Sequence, residues 1–444
     1  MGRGRSTLIL FLALVALGAY IFFVERKREP ATEGGAETKQ KVFSVEAGKI
    51  EDLQVTASGG DQTTLKKEGE RWKVVAPVAA DADEGEVSGI TSNLASLEQQ
   101  RVVEERAADL KPYGLDAPRI RVGFRAAGDK AMKRLLLGSK TPTGGDMYAK
   151  LEDAARVFLV SGFLDSTFDR STFDLRDKSV LKIERDKVDG IEFQSSSETV
   201  RFVKSQDAWM LAAPVQARAD FGAVEGLLGR VATARMKAIV EPEATDLKKY
   251  GLDKPEYTLG LSAGSARSTF LVGAKTPDGQ FYARDASRPI VFTVDSVLVD
   301  DLKKAPADYR MKDLFEFRTF TGTRLEFTRD GTTFIFEKQK GKDKDAPEKW
   351  AQVQPKKDVD EAKILDFLSR LTNLRGETFL DALPEGATQV AATKAVSSEG
   401  KKQDTVTFFK AGEDVYATRP GEPGAAKVSA QEFTEALKLL DALK

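Results

Sequence analysis

The side chains that could do chemistry in this chain are carboxylates, lysines, arginines, hydroxyls and a few aromatics. Histidine and cysteine do not occur in the 444 residues. That removes imidazole bases, thiol nucleophiles, disulfides, zinc fingers and iron–sulfur ligation. Gly138-Ser-Lys140-Thr141 and Gly273-Ala-Lys275-Thr276 superficially suggest a phosphate loop. Such a loop needs Gly-x-x-x-x-Gly-Lys-Ser/Thr between a strand and a helix. Here the upstream glycine is missing, a residue separates Gly from Lys, and Pro142 or Pro277 follows at once. A hairpin loop is the expectation. Paired carboxylates remain as possible acid–base groups, at Glu104-Glu105 and Asp300-Asp301. Neighbouring residues diverge on a strand or a helix, so neither pair need converge on one substrate. No catalytic, metal-binding or cofactor-binding residue is therefore assigned, and no cofactor is expected.

Seven positions stand out as structural or recognition candidates: Trp72, Trp209, Trp350, Tyr113, Asp116, Tyr250 and Asp253. The three tryptophans could form platforms for sugars. Their place on strands that run to a proline favours core packing. The Tyr-Gly-Leu-Asp-x-Pro elements could present Tyr and Asp to a ligand. The bland reading is a tight connection, in which Gly supplies a positive φ, Asp bonds the backbone and Pro restricts its neighbour.

These positions recur, and the recurrence gives the architecture. The tryptophan strands Trp72–Pro77, Trp209–Pro214 and Trp350–Pro355 return at a near-constant interval. Tyr113-Gly-Leu-Asp-Ala-Pro118 and Tyr250-Gly-Leu-Asp-Lys-Pro255 stand equally far behind the first and second tryptophans. Tyr148-Ala149, Tyr282-Ala283 and Tyr416-Ala417 follow at equal steps. Leu137-Gly-Ser-Lys-Thr-Pro142 matches Val272-Gly-Ala-Lys-Thr-Pro277, and Leu175-Arg-Asp-Lys178 matches Tyr309-Arg-Met-Lys312. The order and spacing predict three tandem units, the last divergent.

Within each unit, apolar residues at steps of three and four predict one main helix: Val87 to Leu97, Phe221 to Val231 and Leu365 to Leu374. Asp83, Asp220 and Asp358 are its expected caps. A short terminal helix is expected in every unit, capped by Ser161, Asp295 and Ser429. Strand patterns surround both helices, so the predicted class is α+β with mostly antiparallel sheets.

Ahead of the repeats, Ser6–Val24 is an unbroken run without a charge. As a helix this run covers about 28 Å, close to the ~30 Å hydrocarbon core. It is longer than a signal-peptide core and ends in bulky residues and charges, which favours an uncleaved single-span anchor over a cleaved leader. Lys and Arg nearly balance across it, two before and three just after, so the charge rule alone hardly orients it. A lone N-terminal anchor on a long body favours an extracytoplasmic body. The expected division is an anchor over 1–24, a flexible tether over 25–42 and units over 43–170, 171–308 and 309–444. Basic and acidic residues number 68 and 69, which speaks against a nucleic-acid partner. The Lys-rich stretch Lys338–Lys349 reads as a solvated hairpin loop.

Taken together, Asp-Leu-x-x-Tyr-Gly-Leu-Asp-x-Pro, Leu/Val-Gly-x-Lys-Thr-Pro, Tyr-Ala and a Val-Phe strand resemble the bacterial domain-of-unknown-function family numbered 4340. The resemblance covers most of 43–310 well and 311–444 only weakly. It implies one N-terminal span, repeated α+β units, and an auxiliary envelope role beside gliding-motility-type ABC transporter components. It brings no catalytic residues. The leading expectation is a non-catalytic accessory or binding protein anchored in the cytoplasmic (inner) membrane of a bacterium, with a periplasmic body and envelope or ABC transporter partners; no small-molecule ligand is assigned. The alternatives are a carboxylate-dependent envelope glycan hydrolase and a stand-alone glycan- or peptide-binding module.

Overall fold

The computed structural model describes residues 40–340, 348–397 and 402–443. The expected anchor over 1–24, most of the tether, and residues 341–347 of the Lys-rich stretch lie outside these. Among the described residues no helix is long and apolar enough to cross a membrane. The chain forms two compact units, the first ending at Lys178 and the second running from Ser179 to Lys444.

The first unit holds one nine-stranded sheet. Strands β1 (Ile50–Thr56), β2 (Gln62–Glu68), β3 (Arg71–Ala76) and β4 (Ala80–Asp81) form a meander. Helix α1 (Glu84–Ala95) carries the chain to the opposite edge, where β5 (Arg101–Glu104) lies. A second meander follows: β6 (Ile120–Ala126), β7 (Lys133–Lys140), β8 (Asp146–Leu151) and β9 (Val157–Ser161). The sheet order is β4-β3-β2-β1-β6-β7-β8-β9-β5. Neighbours are antiparallel, and β1 against β6 is the central seam. The short helices α2 (Leu164–Phe168) and α3 (Thr172–Leu175) close the unit.

The core lies between one sheet face and α1. Alternation turns Leu53 and Val55 of β1 and Ile120, Val122 and Phe124 of β6 inward, against Val87, Ile90 and Leu94 of α1, and a register shift between Ile50 and Asp52 brings Ile50 to the same core. Each such side chain contributes about 1.5–3 kcal/mol on burial. Asp83 starts α1 by accepting from the amides of Gly85 and Glu86.

The second unit contains two nine-stranded sheets with the same strand order. Their main helices are α4 (Phe221–Thr233) and α6 (Glu361–Thr372), each followed by a terminal helix, α5 (Ser296–Asp300) or α7 (Ala430–Asp441). The peptide bonds before Pro77, Pro214 and Pro355 are all cis. The described residues thus form three nine-stranded antiparallel sheets with helices against them, as the α+β reading predicts.

Three local expectations are corrected. Asp360, not Asp358, caps α6, accepting from Ala362 N. Residues just ahead of it are held in the short Lys356–Lys357 strand, so the helix starts later. Ser161 caps nothing, because it is still paired with Asp146 in the sheet and α2 begins after Phe163. The terminal helix of the third sheet is not short: α7 has 12 residues, with Phe433, Ala436 and Leu440 buried.

Candidate functional site

The repeated motifs meet one another. In the first unit, Lys111–Tyr113 forms a 3-10 turn that ends at Gly114 with φ 63°. Asp109 Oδ1 accepts from Lys111 N at 3.0 Å. The turn lies over the face of β7–β9 that points away from α1, where Tyr113 packs with Leu115, Leu136, Val157 and Tyr148. The Tyr113 hydroxyl donates to Glu104 at 2.9 Å, and that bond, with burial and charge adding to it, pushes the phenol up. The second sheet repeats the arrangement. Gly251 has φ 67°, Tyr250 donates to Glu241 at 2.6 Å, and its ring lies 5.0 Å from Tyr282.

The Gly of Leu/Val-Gly-x-Lys-Thr-Pro completes this lock. A Cβ on Gly138 would fall inside the carbonyl oxygen of Tyr113, and one on Gly273 inside that of Tyr250. The strand glycine is therefore the socket for the turn. Lys140 ends β7, and Thr141 N bonds Asp146 O at 2.9 Å across a hairpin. Thr276 N bonds Gln280 O in the same way at 2.8 Å. Both phosphate-loop lookalikes are hairpins. Asp116 and Asp253 are exposed beside the turns.

The tryptophans lie in cores, at 7%, 1% and 4% exposure for Trp72, Trp209 and Trp350. The Trp209 indole donates to Glu225 at 2.9 Å. Trp72 and Trp350 each donate a backbone N–H to a helix glutamate, Glu84 and Glu361. None of the three offers a ring to solvent as a platform. The adjacent carboxylates part company. Glu104 takes the Tyr113 hydroxyl while Glu105 pairs with Arg156. Asp300 pairs with Lys303 while buried Asp301 pairs with Arg230 and Lys304. Among the described residues no cluster of acidic groups could hold a metal ion.

Within the second unit, each sheet holds the segment leading into it by a charged pair. In the second sheet Arg288 bonds Asp285 at 3.0 Å and donates to the carbonyls of Ser179 at 2.9 Å and Val180 at 2.5 Å. In the third sheet Arg419 donates to the Leu314 carbonyl and pairs with Glu422 at 3.4 Å. Glu422 also takes Arg218 at 2.7 Å and faces Arg310 at 3.6 Å. Burial pushes the Arg310 guanidinium down.

The open surface is elsewhere, on the second sheet. Ile191, Phe193, Val200, Phe202, Leu259 and Leu261 are buried. Their neighbours along the strands point to the opposite face. Register there sets Arg201, Glu192, Gly260 and Thr269 in one row across four strands. Val203, Gly190, Ser262 and Arg267 form the next row. The glycines leave a trough of about 600 Å³. A Cβ on Gly260 would meet nothing nearer than Glu192 O at 3.7 Å. The matching glycine of the first sheet, Gly123, is covered: a Cβ there would lie 2.9 Å from Met132 Sδ and 3.3 Å from Arg134 Cγ. In the third sheet the place of Gly260 is taken by exposed Lys394, opposite Glu326. The sequence reading did not single out this face. Its available signal was a mid-strand glycine flanked by Thr258 and Ser262 at alternate positions.

No curated protein matches the chain. Among solved structures, a crystal structure of a DNA polymerase sliding clamp from Pseudomonas aeruginosa with ligand is similar at 9% identity. It covers 86% of this chain and 92% of the clamp chain at a TM-score of 0.16, too low to relate the folds. A family pattern matches residues 72–210 and 209–396, so its first segment runs from one tryptophan strand to the next. That pattern is the one described as Domain of unknown function (DUF4340), and the chain belongs to this family.

Proposed function

We propose that the chain is a membrane-anchored, non-catalytic binding protein of the bacterial envelope, with a periplasmic body, auxiliary to an ABC-type transport or gliding-type complex. The observation that carries the binding role is the contrast between the motifs and the open face. The repeated Tyr, Gly, Trp and adjacent carboxylates are engaged in locks, cores and ion pairs, while the second sheet exposes a polar trough that its sister sheets fill. The charge-free run Ser6–Val24 motivates the anchor. The chain has no nucleotide-binding motif, so energy for any transport cycle would come from a partner.

Two measurements test this reading. Protease added to intact spheroplasts should digest the body from outside. Crosslinking in native membranes should recover transporter or envelope subunits with it. Protection of the body in sealed cells overturns the location, and recovery of no membrane partner overturns the accessory role.

A further inference from the structure

We infer that the trough on the second sheet binds an acidic glycan, a hydroxyl-rich chain whose carboxylate docks on Arg267. This rests on the reading of the chain as a binding protein and gives that site its ligand class. The volume, about 600 Å³, falls in the ~300–1,000 Å³ range of small-ligand sites.

Side chains on this face set the chemistry. Thr258, Ser262 and Thr269 line it with hydroxyls, Gln194 adds an amide, and half-exposed Val203 supplies an apolar surface. Five charged residues line it: Asp189 accepts from Gly264 N at 2.9 Å, and Lys204 lies 3.7 Å from Glu225. Glu192 and Arg201 neutralise each other at 2.8 Å. Arg267 is exposed, donates to Ser262 Oγ at 2.5 Å, and has no carboxylate partner among the described residues. A planar guanidinium with donors to spare matches a carboxylate. With Arg201, Lys204 and Arg267 against Asp189 and Glu192, the lining carries one net positive charge, and a hydroxyl-lined floor with that surplus cation fits a ligand with hydroxyls along its length and a carboxylate at one end.

The backbone argues against an extended peptide. Residues 190–194 pair with Thr199–Val203 on one side and Thr258–Ser262 on the other. The floor strands therefore have no free edge on which a peptide could add as a further strand. A sugar needs no such edge, since its hydroxyls can exchange donors and acceptors with Ser, Thr and Gln side chains.

The test is calorimetry on the full chain with three probes: trigalacturonate, neutral maltotriose and a triglutamate peptide. Two variants accompany the wild type. Arg267→Gln removes the charge, and Gly260→Leu fills the trough from a position with room for a side chain. Matching circular dichroism and melting temperature verify that each variant folds. The expected result is trigalacturonate binding that falls at least tenfold in each variant, with maltotriose weaker than trigalacturonate by a similar factor. Trigalacturonate binding that both variants leave unchanged overturns the site. Triglutamate binding without trigalacturonate binding, lost in Gly260→Leu, overturns the glycan class but keeps a binding protein. Binding of none of the three overturns the glycan assignment, and partner capture from native membranes then decides the broader reading.

Discussion

Arg288 and Glu422 stand at the same place in consecutive sheets, set apart by the same step as Tyr282 and Tyr416, with opposite charges. Their partners are inverted too: Asp285 faces Arg288, and Arg419, which occupies the place of Asp285, faces Glu422. In both sheets the arginine of the pair reaches the carbonyls of the incoming segment, Ser179 and Val180 in one and Leu314 in the other. The pair is thus one clasp built in two orders. In the first sheet the same two positions are Leu151 and Ala154.

The clasp makes a double-mutant prediction. Asp285→Arg and Arg288→Glu should each cost about 2–3 kcal/mol, because each sets two like charges side by side, at buried Asp285 or at half-buried Arg288. The double variant rebuilds the third sheet's order in the second and should recover at least half of the summed loss. Urea unfolding of the four proteins measures the coupling. Additive losses would show that the pair does not act as a unit.

Glu422 gives a sharper case. It is the carboxylate shared by Arg218, Arg310 and Arg419. Glu422→Gln should destabilise by about 3 kcal/mol, since three largely buried guanidinium groups lose their common anion. A melting temperature within a degree of wild type would contradict this.

The turn-and-socket lock predicts a contrast between glycines. Gly138→Ala and Gly273→Ala should each cost about 2 kcal/mol through overpacking against the Tyr113 and Tyr250 carbonyls. Gly260→Ala, where the nearest atom would be 3.7 Å away, should be neutral or stabilising, because a strand glycine carries an entropy cost that alanine lowers. Urea midpoints for the three variants decide it, and equal losses at all three sites would refute the lock.

Asp301 predicts a pH dependence. Burial alone would raise its carboxyl, but bonds from Arg230 and Lys304 outweigh burial and hold it below the usual carboxylate range. A carboxyl lowered on folding stabilises fully above its unfolded value of about 3.9, and that stability is lost as the pH falls through the folded value. Arg230→Gln removes one bond, so its acid unfolding midpoint should move to higher pH. An unchanged acid limb between pH 5 and pH 2 would count against the pairing.

Trp209 and Trp72 should differ on substitution. Trp209→Phe breaks the indole bond to Glu225 and should cost about 2 kcal/mol, as for other bonds to charged groups. Trp72 uses its backbone N–H for Glu84, which Phe would keep, so Trp72→Phe should cost less. Thermal melts of the two variants compare them directly.

Much of this architecture was legible because the duplicated landmarks are those that packing constrains most. Trp recurs because it fills a core, and Tyr-Gly recurs with the strand glycine because the turn seats on it. Strand β2 escaped notice because Gln62–Glu68 carries one strong apolar residue, Leu65, with Thr63 supplying its other fully buried position. The short edge strand β5 has no fully buried residue to mark it. The trough was invisible for a different reason. It depends on register across four strands, which brings Gly190 to one face with Gly260 and Arg267 of a hairpin far along the chain. The clasp was hidden by its inversion, since a comparison by residue type finds Asp against Arg.

The matched family segment and the folded block are out of phase. A fragment cut at the tryptophans, from 72 to 210, would discard β1 and β2. It would take with them Ile50, Leu53 and Leu65, each with no exposure. Strand β3 would be left without its neighbour, and β6 would become a bare rim. Genetic exchange at the tryptophans would part β1 and β2 from the rest of the first sheet, whereas a breakpoint near Lys178 would pass that sheet on whole.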